Sequence, residues 1–195
     1  PPTQGHVLFL GKYLYQDYDE DGRSTLRKRH IGMVYQQPNW VKSLTVKENI
    51  MVPLRLSGIS AQEAEAKAEE VLKLVEMVDW QDYVPTELSS GQQQKVALAR
   101  AVVTNPDVLI ADEPTGNLDF ESGQELMNLL SVLHKNGITV IMVTHDLEYL
   151  SYAQRSLEMF DGKITNEVTD PSRYVKQNHN SLKRGFTGTV ENLEP

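Results

Sequence analysis

The chain has 195 residues, 39% of them hydrophobic and 24% charged, which is enough for one sizeable core. Its 27 acidic residues outnumber the 19 lysines and arginines, and the net charge of −8 disfavours a broad nucleic-acid surface. The lack of cysteine excludes disulfides and thiolate metal sites, and no apolar run approaches the roughly 20 residues needed to cross a bilayer, so we expect a soluble chain.

Two short strands are predicted near the start of the chain. Residues 6–10 and 31–35 are rich in β-branched and aromatic residues and are bounded by glycines and charged residues. The charged residues 18–29 lie between them and favour a helix toward the end of that stretch. We therefore expect a strand, a helix and a second strand in this order.

The pattern becomes helical from residue 45 onward. Thr45 and Glu48 have the spacing of a capping box, and Ser60 and Glu63 repeat that spacing. Beyond Ser60, glutamates and lysines occupy one face of the predicted helix. The opposite face is apolar and consists of Ala64, Ala68, Val71, Leu72 and Val75.

A further helix is predicted after Ser89. Ser90 and Gly91 stand where a helix cap belongs, and Asn105-Pro106 marks the end of the helix. Small apolar residues that can share one face are Val96, Ala97, Ala101 and Val102.

The next part of the chain predicts a βαβ unit. Residues 108–112 and 138–144 are near-continuous apolar runs, which are typical of strands buried on both faces of a parallel sheet. The leucine stripe of a crossover helix lies between them and consists of Leu126, Leu129, Leu130 and Leu133.

A hairpin is predicted after this unit. Asp161-Gly162 follows the strand-like residues 155–160 and has the composition of a type I′ turn. Residues 170–195 are polar, and we expect them to form an extension with little core of its own.

Four short motifs occur in a fixed order. They are Leu-Ser-Ser-Gly-Gln at 88–92, Val-Leu-Ile-Ala-Asp-Glu at 108–113, Asn-Leu-Asp at 117–119, and His145. In this order and at these distances they resemble the signature, Walker B, D-loop and switch histidine of ATP-binding-cassette (ABC) ATPases. The resemblance runs from about Gly5 to Ile164, which is most of the chain.

The resemblance implies a fold class and cofactors. The expected fold is α/β, with a mostly parallel sheet of the P-loop NTPase (RecA-like) type, an α-helical subdomain inserted at about residues 40–106, and a small antiparallel β part. Residues 1–169 would form this domain, and residues 170–195 would form the polar extension. ATP and Mg²⁺ would be the cofactors.

One family element is missing from the sequence. No Gly-x-x-x-x-Gly-Lys-Ser/Thr pattern, the Walker A phosphate loop, occurs in the 195 residues, and Gly22-Arg23-Ser24-Thr25 lacks both the second glycine and the lysine. Residues 1–7 resemble the stretch that follows the Walker A helix in the family. We therefore expect a domain whose first strand and phosphate loop are absent, and we expect the 195 residues alone to be inactive and marginally stable.

The Walker B motif ends in two carboxylates. An apolar strand that ends in Asp112 would deliver a charge to the sheet edge where phosphate and Mg²⁺ meet. Glu113 points elsewhere, which suits a carboxylate that orients or deprotonates the attacking water. Taken alone, an Asp-Glu pair would be an ordinary solvated strand end, but the residues 114–119 that follow favour the catalytic interpretation.

Two further catalytic candidates follow other strands. His145 comes after the second buried run, which would place it beside Glu113, and the resemblance assigns it contact with the γ-phosphate and the water. Gln36 follows the strand 31–35 and matches the Q-loop glutamine, whose neutral amide can bind a metal-linked water. Gln37 is adjacent; we choose Gln36 because it directly follows the aromatic end of the strand. Each residue alone could be structural.

The signature opens a helix, and a helix N-terminus is a ready anion site. The resemblance assigns the nucleotide of the opposite subunit to Ser89, Ser90, Gly91 and Gln92, and also to Asp119 of the D-loop. Ser90 replaces the usual glycine and adds a side chain close to the nucleotide. The alternative is an ordinary serine-capped helix, which does not explain the family-like continuation at residues 92–101.

The resemblance also implies a function and partners. It identifies an ATP-hydrolysing motor subunit that dimerises around ATP and couples hydrolysis to a membrane permease, in the branch that serves lipoprotein release, macrolide export and cell division. The chain would be cytoplasmic and peripheral on the inner face of the membrane, with no nucleic-acid partner. The candidate groove for the permease is formed by Trp40, Val41, Met51 and Leu54, for which plain packing is an equal alternative.

Two other functions stay open. A non-catalytic regulatory or binding module derived from an ABC ATPase would explain the missing phosphate loop. It would not explain why Asp112, Glu113, His145 and the signature are all present. An ABC protein that acts on ribosomes or DNA is disfavoured by the acidic balance and by the lack of a coiled-coil heptad pattern.

Overall fold

The computed structural model describes residues 1–169 and Pro171, which divide into two compact units, residues 1–144 and the described residues from 145 onward. The extension predicted for residues 170–195 lies outside the described residues, apart from Pro171.

In chain order, the first unit contains β1 (Leu8–Phe9), β2 (Lys12–Tyr13), α1 (Glu20–His30), β3 (Ile31–Tyr35), α2 (Val46–Leu56), α3 (Ala61–Leu74), α4 (Ser90–Val102), β4 (Val108–Asp112), α5 (Phe120–Lys135) and β5 (Thr139–Val143).

The first predicted strand is a short hairpin. Residues 6–10 do not form one strand, because β1 turns back at Leu10 and Gly11 and pairs antiparallel with β2. Both turn residues have positive φ, 50° and 76°, as a tight two-residue turn of this kind requires. Leu10 is an unusual residue for such a turn, which is why the sequence did not reveal it. The helix expected before residue 31 is present as α1.

A parallel sheet in the order β3-β4-β5 forms the centre of the first unit. Leu109 of β4 pairs with Gly32 on one side and Val140 on the other, which confirms the βαβ unit with α5 as its crossover. Gly32 is required where α4 crosses the sheet, because a Cβ there would lie 2.4 Å from the carbonyl oxygen of Ala101.

Burial on both faces of the strands is not observed. Val34, Leu109 and Ala111 are buried on the face that meets the helices, whereas Ile141 and Val143 of β5 are 50% and 53% exposed. Apolar runs of this kind are typical of strands that are covered on both faces of the sheet. Among the described residues of this unit, helices cover one of the two faces. The expectation of two-sided burial was therefore wrong for β5 in this part of the chain.

The helices α2, α3 and α4 pack together as a helical layer between β3 and β4 in the chain. Thr45 closes a capping box at the start of α2: its hydroxyl accepts from the Glu48 backbone N–H, and its own N–H donates to the Glu48 carboxylate. Ser60 caps α3 by accepting from the Glu63 N–H. The shared core of the layer is Val46, Ile50, Met51, Leu54, Ala64, Ala68, Leu72, Val75, Met77, Leu88, Val96, Ala99 and Val103.

The second unit contains the predicted hairpin. β6 (Arg155–Phe160) and β7 (Lys163–Thr169) pair antiparallel, and Asp161 and Gly162 between them have φ of 48° and 70°. These values confirm the type I′ turn. In the part of the chain that the structure describes, no helix is long and apolar enough to span a bilayer.

Candidate functional site

The carboxyl ends of β3 and β4 bring three candidate residues to one edge of the sheet. Tyr35, the last residue of β3, pairs with Asp112, the last residue of β4, so Gln36 and Glu113 follow from neighbouring strands. Asp112 is exposed and Glu113 is partly buried. We call this region the carboxyl edge; it is the place where the sequence predicted that nucleotide phosphate and metal meet.

Glu113 leaves the strand in an unusual backbone conformation. Its φ of 46° is left-handed, a region that costs a non-glycine residue about 1–2 kcal/mol. Two backbone hydrogen bonds hold it there: its N–H donates to Val143 O at 2.9 Å, and its carbonyl accepts from Gly116 N at 3.1 Å. This left-handed residue directly follows Asp112, the last residue of β4.

Gln36 packs against this turn. A Cβ at Gly116 would lie 2.7 Å from the Gln36 side-chain nitrogen, so the missing side chain at Gly116 lets the amide approach. The Gln36 carbonyl is itself approached by the Asn117 side-chain nitrogen at 3.5 Å. The structure thus brings Gln36 to residues 113–117, which we call the Walker B turn.

The signature residues begin α4, with one correction to the predicted cap. Ser89, not Ser90 or Gly91, is the N-cap: its hydroxyl accepts from the Gln92 N–H, and its own N–H donates to the Gln92 side-chain oxygen. Serine can fill this role because its backbone is extended while its oxygen reaches the first turn. Ser90 is exposed in a first turn that contains no acidic residue, so the helix N-terminus is open to an anion.

Asp119 meets the signature through Ser122. The Asp119 carboxylate caps α5 by accepting from the Ser122 backbone N–H at 2.8 Å and from the Ser122 hydroxyl at 3.2 Å. These hydrogen bonds, the backbone one first, lower the pKa of Asp119. A Cβ at Gly91 would lie 2.8 Å from the Ser122 hydroxyl oxygen. The signature, Ser122 and the D-loop aspartate are therefore in close contact within one chain.

Donors for a hard cation are present at the carboxyl edge. Within residues 1–169 and Pro171, no three His, Cys, Asp or Glu side chains come together to hold a metal. Mg²⁺ usually takes one or two protein oxygens and completes its shell with water and phosphates. Asp112, with the amide of Gln36 directly after the neighbouring strand, fits that donor set.

His145 is the first residue of the second unit. It follows β5 along the chain, as the sequence indicated. Its placement beside Glu113 stays a prediction.

The candidate groove residues separate into two pairs. Met51 and Leu54 are 4% and 2% exposed and belong to the core of the helical layer, so for them the packing interpretation is correct. They lie on the inward face of α2, where no partner can reach them. Trp40 is partly buried and Val41 is exposed. These two remain candidates for a partner surface.

Two polar residues of α4 were not among the candidates predicted from sequence. Gln94 is buried and donates to backbone carbonyls at the end of β3. Arg100 donates to Asn39 O at 2.8 Å and lies over the Trp40 ring at 4.5 Å, and burial lowers its pKa. The available signal was a glutamine among the small apolar residues of an otherwise buried helix face.

Comparison with known proteins gives consistent matches. A family model described as ABC transporter matches residues 1–116. An uncharacterized ABC transporter ATP-binding protein of Methanocaldococcus jannaschii, MJ1508, is 39% identical over 86% of this chain and 74% of its own length. The macrolide export ATP-binding/permease protein MacB of Salmonella typhimurium is 39% identical over 100% of this chain and 29% of its own length.

Solved structures agree with these matches. The dimeric ATP-binding cassette MJ0796 in a post-hydrolysis state with ADP and Pi has a TM-score of 0.77 and 36% identity, and the match covers 87% of this chain and 75% of that one. CbiO1 of Clostridium perfringens, part of the transporter complex cbiONQ, has a TM-score of 0.81 and 29% identity over 94% of this chain and 75% of its own.

Proposed function

The chain belongs to the ABC transporter family as an ATP-binding domain with the cassette fold, and we propose that it works as the ATP-hydrolysing motor subunit of a transporter. The observation that carries this proposal is the carboxyl edge, where Gln36, Asp112 and Glu113 follow adjacent strands and Glu113 is held in a left-handed conformation. Left-handed non-glycine residues occur elsewhere in the chain as well, and at Glu113 the conformation supports a functional role because it coincides with the carboxyl edge.

The proposed chemistry is divided among these residues. Asp112 and Gln36 would hold Mg²⁺ with its water, and the ion would neutralise charge on the transferred phosphoryl group. Glu113 accepts a proton from the attacking water or orients it, while His145 contacts the γ-phosphate. Because phosphoryl transfer needs little covalent help from the protein, positioning and charge account for most of the effect.

Dimerisation is the second part of the proposal. The exposed N-terminus of α4, with Ser89, Ser90, Gly91 and Gln92, would bind the γ-phosphate held by a second copy, and Asp119 would lie at the same contact. The related cassette MJ0796 is described as a dimer with ADP and Pi, which supports this arrangement.

Coupling to a permease is the third part. Trp40 and Val41 would contact a membrane subunit, and the chain would lie on the inner face of the membrane in the cytoplasm. The similarity to MacB, a macrolide export ATP-binding/permease protein, supports a branch of the family but does not name a substrate.

A non-catalytic binding module is the second candidate. The 195 residues contain no Gly-x-x-x-x-Gly-Lys-Ser/Thr pattern, and a module of this kind would not require one. Such a module would keep the fold and bind a partner without hydrolysing ATP.

ATP hydrolysis separates the two candidates. We define the extended chain as the 195 residues preceded by a strand and phosphate loop of the family pattern. The extended chain should hydrolyse Mg-ATP, and Glu113→Gln should slow turnover about 100-fold or more while preserving ATP binding, because it removes the proton acceptor and keeps the shape.

The control is Glu70→Gln, an exposed glutamate on α3, which should leave the rate unchanged. Sedimentation should show that the Glu113→Gln extended chain dimerises only with ATP present. Hydrolysis by Glu113→Gln at the parent rate would refute the assignment of Glu113. An extended chain that binds ATP without hydrolysing it would favour the non-catalytic module.

A further inference from the structure

The end of β3 is attached to α4 by one buried side chain. The Gln94 side-chain nitrogen donates to Tyr35 O and to Gln36 O, both at 3.1 Å. An amide nitrogen carries two hydrogens, so each carbonyl receives one of them. Gln94 is 2% exposed, which excludes water from both hydrogen bonds.

A glutamine at this position has a cost that an apolar residue would avoid. Its side-chain oxygen is buried and has no hydrogen-bond partner among the described residues. Neighbouring positions of α4 are filled by Val96, Ala97 and Leu98, which pack without polar atoms. We therefore expect Gln94 to act through its two hydrogen-bond donors, because burial of its unpaired oxygen is unfavourable.

Hydrogen bonds to two successive backbone carbonyls restrict the backbone conformation of the residue between them. The Tyr35 and Gln36 carbonyls define the peptide planes on either side of Gln36, so the Gln94 hydrogen bonds restrict both backbone dihedrals of Gln36. The Gln36 side chain then approaches Gly116 of the Walker B turn, where a Cβ would lie 2.7 Å from its nitrogen and would displace it.

The rest of the loop after β3 is held by different residues of the same helix. The Gln93 side-chain oxygen accepts from the Trp40 ring N–H at 3.0 Å, and Arg100 holds Asn39. Gln93 and Gln94 are adjacent and chemically identical, yet they bind opposite ends of the loop. Gln93 is therefore a matched control for Gln94.

We propose that Gln94 is a positioning residue that sets the direction of the Gln36 side chain toward the Walker B turn by holding the Tyr35 and Gln36 carbonyls. The geometric part stands by itself. The catalytic consequence rests on the proposed function, because it requires Gln36 to act on a metal-linked water.

The geometric part is tested by NMR on the extended chain. The side-chain amide signals of Gln36 are assigned from their loss in Gln36→Ala. Gln94→Met keeps the length of the side chain and removes both donors, and it should shift these signals, whereas Gln93→Met should leave them in place. Gln94→Asn, which keeps the amide but not its reach, should behave like Gln94→Met. Circular dichroism confirms folding, and Gln36 signals unmoved in a folded Gln94 variant overturn the proposal.

The catalytic part is tested by a double-mutant cycle in the extended chain. Gln94→Met should lower kcat about tenfold and change the KM for Mg-ATP by less than about twofold, because the lost interaction acts after binding. In a Gln36→Ala background the same substitution should have no further effect on kcat. A purely structural role would lower kcat equally in both backgrounds, and that result overturns the proposal.

The two proposals fail in different ways. A parent extended chain that binds Mg-ATP without hydrolysing it contradicts the motor function, and the NMR comparison still decides whether Gln94 positions Gln36. If the parent extended chain is active and the effects of Gln94→Met and Gln36→Ala on kcat are additive, only the positioning role of Gln94 is contradicted.

Discussion

In the helical layer Leu72 and Val96 are completely buried, and α2, α3 and α4 each begin at a side-chain cap. At the carboxyl edge, by contrast, Asp112 is exposed and Glu113 keeps a left-handed backbone. The layer is arranged for packing, with capped helix starts, whereas the edge keeps charge and strain. Substitutions in the layer should therefore change stability, and substitutions at the edge should change chemistry.

The largest expected effect on stability lies in the layer. Leu72→Ala removes a fully buried side chain and should lower the free energy of unfolding by about 3 kcal/mol, through lost burial and the cavity left behind. Leu56→Ala is the matched control, since Leu56 lies on α2 but is 72% exposed, and it should change stability by less than about 0.5 kcal/mol. Urea denaturation of the extended chain measures both changes, and equal losses of stability would contradict the contrast between the two positions.

Gly32 and Gly116 allow a second comparison between the helical layer and the carboxyl edge. Gly32→Ala places a Cβ 2.4 Å from the Ala101 backbone oxygen, which cannot move by itself, and should cost about 2 kcal/mol of stability. Gly116→Ala meets the end of the flexible Gln36 side chain at 2.7 Å instead. It should leave stability nearly unchanged and slow hydrolysis in the extended chain. Similar losses of stability in the two variants would contradict this distinction.

Two glutamates with positive φ give a smaller test. Glu113→Gly should raise the free energy of unfolding by about 1 kcal/mol, because glycine accepts the left-handed conformation without strain, and it should abolish hydrolysis in the extended chain. Glu76, with φ of 58°, lies at the end of α3 away from the edge. Glu76→Gly should give a similar gain in stability and leave hydrolysis intact. Thermal melts and rate assays distinguish the two.

The smallest expected effect is a pH dependence at Asp119. Ser122 lowers the pKa of this carboxyl in the folded state, so its capping of α5 stabilises the protein above the unfolded pKa. That contribution is lost as the pH falls through the folded pKa, below the ordinary value of 3.8. Asp119→Asn should therefore differ from the parent near neutral pH and converge with it in acid. A difference in stability that grows on acidification would show the opposite sign of linkage.

Local patterns predicted the parts of the structure that depend on neighbouring residues. β3 and β4 begin and end at the expected residues, Thr45 and Ser60 cap their helices, and Asp161-Gly162 turns the hairpin as predicted. Spacing, caps and turn residues act over a few positions, so the sequence displays them directly. The hairpin at Leu10-Gly11 was missed because Leu10 carries no such local signal.

The sequence by itself determined the order of the motifs and therefore the family, and it placed Asp112 and Glu113 at the end of a strand. Tertiary structure alone decided which apolar residues are inaccessible, as for Met51 and Leu54, and which polar residue reaches the loop after β3. Gln94 and Gln36 are 58 positions apart in the chain, and only the crossing of α4 over the sheet at Gly32 brings them together. Contacts of that kind arise from packing between elements, which no local periodicity encodes.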